Sequence, residues 1–144
     1  MRVALLACAV VTLLATGCGE SQPSAESVVR AWSHALNQGD NQTAAKLFAP
    51  NAEVVQGDSV LRLHTQKDAV AWNAALPCSG RILSIHSRGD TATATFLLGD
   101  RPHSRCDGPG EHATALFKVR RGKIVLWHQT GSGSGPAPPP PPSV

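Results

Sequence analysis

The side chains with the most chemistry in this sequence are its four cysteines and six histidines. Cys78 and Cys106 stand apart from Cys8 and Cys18, which fall within and just after an apolar N-terminal run. A cysteine pair with no C-x-x-C spacing reads as a disulfide if the protein meets an oxidising compartment. The rival is a zinc site drawn from Cys78, Cys106, His103 and His112, against which the missing tight pair argues, so neither metal nor cofactor is expected. No serine carries the flanking glycines of a nucleophile elbow, which removes Ser/His/Asp hydrolysis. Asp40 stands at the start of a helical pattern and reads as a cap. Asp100, His103, Asp107 and Glu111 share one polar loop and read as solvated. His34 and His64 read as surface residues, whereas His86 and His128 close strands and are the positions from which a base could point inward beside Trp127.

The compartment is legible in the first eighteen residues. Arg2 precedes a run from Val3 to Leu14 that is apolar apart from Thr12, and Ala15-Thr16-Gly17 supplies the small residues a signal peptidase accepts. The run falls short of the about 20 apolar residues that span a bilayer. Gly17-Cys18 resembles a lipobox, in which the cysteine thiol takes a diacylglyceryl group, with Ala15 where leucine is usual. The expectation is a signal peptide over 1–17 that removes Cys8, lipidation of Cys18, and anchoring on the extracytoplasmic face of the cell membrane. Cleavage without lipidation, giving a secreted protein, is the alternative.

Residues 18–23 then form a polar tether, and 24–130 are long enough for one hydrophobic core. Residues 131–144 contain only Gly, Ser, Pro, Ala and Val. Such a tail cannot bury a core and is expected to be disordered, with its proline run in polyproline II. The full chain carries a formal charge of +3. With Arg2 removed this falls to about +2, too little to expect nucleic acid as a partner. Lys118, Arg120, Arg121 and Lys123 cluster at a probable hairpin and read as solvated charge.

These residues need elements to hold them. Ser24 can cap a helix with Val28, Val29, Trp32, Ala35 and Leu36 at helical spacing, and Gly39 offers its stop. Asp40 then caps a second helix over Asn41 to Phe48, stopped near Pro50. Two strands, Ala52 to Gln56 and Val60 to His64, flank a Gly57-Asp58 turn. Thr65 with Asp68 forms a capping-box variant for a third helix that ends at Pro77. Beyond Cys78 the period changes to that of strands: Arg81 to His86, Thr91 to Leu98, His112 to Val119 and Ile124 to Gln129. Helices followed by an antiparallel meander indicate an α+β domain, with helices on one face of a curved sheet.

The string VVRAWSHALNQGDNQTAAKLFAPNAEVVQ, from Val28 to Gln56, resembles the start of the nuclear transport factor 2-like or SnoaL-like superfamily, and the later elements follow that order. The resemblance implies a cone-like curved antiparallel sheet with three N-terminal helices packed on its concave face, open at a mouth that takes small apolar molecules. It also implies where an activity would reside. In the ketosteroid isomerase branch the tyrosine, the general-base aspartate and the oxyanion-binding aspartate fall at Trp32, Gln56 and Ala115, and none of these can take over the role. A ligand pocket is expected from Trp32, Gln56, Ala113, Ala115, Phe117 and Trp127. A core filled by close helix packing against the alanines is the bland alternative. The function expected is an exported, lipid-anchored, non-catalytic domain that binds a small apolar ligand or an envelope protein partner, with a homodimer through the open sheet face as a further option. The alternative is a SnoaL-like enzyme, an isomerase, dehydratase or hydrolase, with a displaced catalytic base.

Overall fold

A computed structural model of the chain describes residue 19 and residues 21–133. Helix α1 spans Ala25–Asn37, and Ser24 caps it by accepting the Ser27 amide at 3.1 Å. Its periodic residues Val28, Val29, Trp32, Ala35 and Leu36 are all buried on one face. Gly39, at φ +73°, makes the turn that only glycine enters without strain. Helix α2, Asn41–Lys46, starts at once, with Asp40 accepting the Thr43 amide at 2.9 Å. Helix α3 spans Gln66–Ala75 and carries the full capping box: Asp68 N–H donates to Thr65 Oγ1 at 3.1 Å, and Thr65 N–H to Asp68 Oδ2 at 2.9 Å.

Six strands form one sheet: β1 (Phe48–Gln56), β2 (Ser59–Leu63), β3 (Ser79–Arg88), β4 (Thr91–Gly99), β5 (His112–Arg120) and β6 (Lys123–Gly133). Their order is β2-β1-β6-β5-β4-β3, and every neighbouring pair is antiparallel except β1 with β6. Two expected boundaries move. The second helix ends at Lys46, because Phe48 is already a strand residue opposite Ile124 and Pro50 cannot donate in a helix. The last strand runs on to Gly133, since the backbone of Gly131–Gly133 pairs with His112–Thr114 whatever its side chains. Register shifts between Ile82 and Ser84, Thr114 and Ala115, and Lys118 and Val119 curl the sheet.

The concave face carries Ala92, Ala94, Phe96, Ala115, Phe117, Val119, Ile124 and Trp127, all buried under the helices. Ala92 and Ala94, both at 0% exposure, let α1 sit close over the middle of the sheet. Helix α1 is tied to the start of β3: Ser33 Oγ and Asn37 Nδ2 both donate to Gly80 O at 2.9 Å, and Gly80 N–H donates to Asn37 Oδ1 at 2.8 Å. A Cβ on Gly80 would lie 3.0 Å from the Phe96 ring, so any side chain there would have to displace that ring. Among the described residues no helix is long and apolar enough to cross a membrane. Cys18 and most of the proline-rich tail lie outside the described residues.

Candidate functional site

The chain has three tryptophans, three phenylalanines and no tyrosine, and all six rings join one network. Trp32 lies at its centre, with ring centroids 5.3 Å from Phe117, 6.1 Å from Phe96 and 6.5 Å from Trp127. Trp72 extends it, 5.1 Å from Trp127 and 5.4 Å from Phe48. Most of these pairs meet edge to face, the arrangement the ring quadrupoles favour.

Where α1 and the concave face diverge, this network borders a cavity of about 370 Å³. Trp32, Leu36, Leu76, Phe96, Leu98, Ala113, Ala115 and Trp127 supply apolar wall. Gln56, Gln129, Ser132, Asp107 and Glu111 supply polar wall. Gln56 Nε2 donates to Gln129 Oε1 at 2.8 Å across the β1–β6 pair. The volume lies in the range of small-molecule sites, and an apolar wall with a few polar groups is their usual make-up.

Trp32, Gln56, Ala113, Ala115 and Trp127 thus meet on one cavity. Phe117 does not reach it: this ring, at 0% exposure, is covered by Trp32 and belongs to the core. Filled core and cavity share the same face, Ala92 and Ala94 under the helix and Ala113 and Ala115 beside the opening. The histidines with inward potential face away. His128 sits between Trp127 and Gln129, both in the cavity wall, so strand alternation turns it to the convex face. His86 pairs with Thr93 in a row that continues through Leu116 to His128, on that same convex face.

In the polar loop between β4 and β5, Asp100, His103 and Asp107 are exposed as expected, and Asp107 and Glu111 also border the cavity. Several bonds hold the loop there. The Cys78–Cys106 disulfide joins it to the end of α3, with Cα atoms 4.4 Å apart. Asp100 Oδ1 accepts the Cys106 amide at 2.8 Å, and Ser104 Oγ donates to Pro77 O at 2.9 Å. Arg101, only 6% exposed, sends Nη1 to Asn73 O at 2.8 Å and Leu76 O at 2.9 Å, and Nη2 to Asn41 Oδ1. Burial lowers its pKa, and the carbonyls at the negative end of α3 stand in for a carboxylate partner. Asp107 Oδ1 lies 3.3 Å from Cys78 Sγ, a contact without a proton because that sulfur is oxidised. Cys78, Cys106 and Asp107 do converge within 4.8 Å, yet disulfide sulfurs are not thiolate ligands. The zinc grouping with His103 and His112 does not form.

Two buried indole N–H groups differ in fate. Trp32 Nε1 donates to Asn73 Oδ1 at 2.8 Å. Trp127 Nε1 has no partner, although its residue is 6% exposed.

Solved structures with this architecture exist at low sequence identity. An NTF2-like protein of unknown function from Cytophaga hutchinsonii superposes with a TM-score of 0.63 at 14% identity, over 76% of this chain and 91% of that one. The fold is NTF2-like. A Catenulispora acidiphila protein with a ketosteroid isomerase-like fold, solved in complex with trimethylamine, gives 0.60 at 16% identity over 72% of this chain and 84% of its own. A de novo designed protein with a curved β-sheet gives 0.60 at 15%, over 73% and 82%. No family model and no curated protein matches the chain in sequence. An architecture shared with a designed protein carries no activity by itself. In this NTF2-like domain the three positions that resemble the isomerase's reactive groups do gather on the cavity, as a tryptophan committed to Asn73, a glutamine bonded to Gln129, and an alanine.

Proposed function

We propose that this chain is an exported, lipid-anchored NTF2-like domain that binds a small, mainly apolar molecule in its cavity without transforming it. The observation that carries the reading is the cavity itself: about 370 Å³, walled by aromatic and aliphatic side chains, with Trp32 Nε1 and Gln56 already engaged inside the protein. A general base would have to be Asp107 or Glu111, the two carboxylates in the wall. The relative solved with trimethylamine supports occupancy by a molecule of small size. Anchoring rests on Ala15-Thr16-Gly17-Cys18 and agrees with the disulfide, which suits an oxidising compartment.

Filling the cavity tests the reading. Ala113→Phe fills the cavity from its β5 wall, beside Phe96, and is expected to abolish a ligand-induced rise in melting temperature while the unliganded protein stays folded. An unchanged ligand response in that variant would place binding elsewhere. For the anchor, Cys18→Ala is expected to move the protein from the membrane to the soluble extracytoplasmic fraction. Membrane retention of that variant would end the lipid-anchor reading.

A protein partner is the second reading, favoured by Val60 and Leu61 on the outermost strand β2, 65% and 51% exposed. Light scattering distinguishes a dimer from a monomer there.

A further inference from the structure

The chain has a net charge of +3, yet its cavity has the opposite sign. Asp107 and Glu111 are in the wall, and no lysine, arginine or histidine lines it. Neither carboxylate forms an ion pair among the described residues, whereas Asp90, Glu53 and Glu26 all do. The loop makes room for one of them: a Cβ on Gly108 would come within 2.6 Å of Glu111 Oε2. Three of the wall residues, Trp32, Phe96 and Trp127, present aromatic rings, whose π systems attract cations.

Building on the reading that the cavity is a ligand site, we propose that its ligand is a small organic cation, an alkylammonium or quaternary ammonium with an apolar body. Asp107 and Glu111 neutralise the charge, and the aromatic wall takes the alkyl groups. Anionic ligands are repelled by the same two carboxylates.

Tryptophan emission provides the readout, since two of the three tryptophans line the cavity and no tyrosine contributes. The exported protein, held in a neutral maltoside detergent, is titrated with choline, with its uncharged isostere 3,3-dimethylbutanol, and with 3,3-dimethylbutyrate. Choline is expected to saturate at least about tenfold more tightly than the alcohol, the size of effect that two partly exposed carboxylates supply. In the Asp107→Asn, Glu111→Gln double variant, choline is expected to fall to the level of the alcohol. A cooperative urea transition like that of the parent shows that the variant is folded. Equal binding of choline and the alcohol, or tightest binding of the carboxylate, overturns the cation proposal and leaves the ligand-site reading standing. Absence of any saturable change with all three probes overturns both.

Discussion

Trp32 on α1 and Asn73 on α3 are joined by a 2.8 Å hydrogen bond, with both side chains buried and 41 residues apart in sequence. Asn73 in turn donates to Ala69 O at 2.8 Å, so each of its polar ends is met. The bond sets the indole that anchors the aromatic network and forms part of the cavity wall. Asn73→Leu leaves the Trp32 N–H unpaired in the core. The expected loss is about 1–3 kcal/mol of unfolding free energy, checked by urea denaturation. A neutral result would mean that the N–H finds another acceptor.

The disulfide positions the loop that brings Asp107 and Glu111 to the cavity. Cys78 and Cys106 are 28 residues apart. Replacing both by serine is expected to lower stability by about 3.5 kcal/mol on the chain-entropy account. Choline binding should weaken in parallel, because the carboxylates lose their placement. The two effects are read by urea denaturation and fluorescence titration of the same variant.

Arg101 does for the loop what a helix C-cap does for a helix. Arg101→Ala takes the charged donor from Asn73 O and Leu76 O, and an expected loss of about 2–3 kcal/mol follows for hydrogen bonds to a charged group. Arg101→Lys keeps the charge but not the fork, and is expected to recover only part of the loss. Full recovery by lysine would show that charge, and not geometry, is what the site needs.

Acid stability has two identifiable contributors. Hydrogen bonds with Thr43 hold the Asp40 carboxyl below its ordinary value of 3.8, and those with Thr65 do the same for Asp68. A folded-state pKa below the unfolded one adds stability that is complete above the unfolded value. That stability disappears as the pH falls from about 3.8 through the lower folded value. In the Asp40→Asn, Asp68→Asn variant, stability below pH 4 should therefore depend less on pH than in the parent, with asparagine retaining much of the capping. Chemical denaturation at a series of acid pH values measures the slope, and equal slopes would exclude these caps as the source.

Local signals in the sequence account for most of the elements. The caps at Ser24, Asp40 and Thr65, the apolar spacing from Val28 to Leu36, and the strand alternation around Ala113 to Val119 each act within a few residues, and each produces the element its chemistry indicates. The parallel pairing of β1 with β6 is different, since it joins Val54 to Trp127 across the whole domain and has no local signature. For the site, alternation identified Ala113 and Ala115, but it also selected Phe117, which lies on the same face and packs under the Trp32 and Phe96 rings. That Asp107 and Glu111 border the cavity is not legible, because loop composition is all the sequence offers there. Their position depends on Arg101 reaching α3 and on the closed disulfide, two long-range contacts. His128 turns outward for a similar reason, as the bulge between Lys118 and Val119, where β6 carries Val125 as an extra residue, puts Trp127 and not His128 on the face of Ile124.

The central claim is that the cavity holds a molecule in the cell. Native mass spectrometry of the protein isolated from its own cells, followed by organic extraction and mass measurement of whatever is released, tests it most directly. The account predicts one small molecule per chain, positively charged and absent from the Ala113→Phe variant. Protein that is empty as isolated, or that carries the same molecule after the cavity is filled, contradicts it.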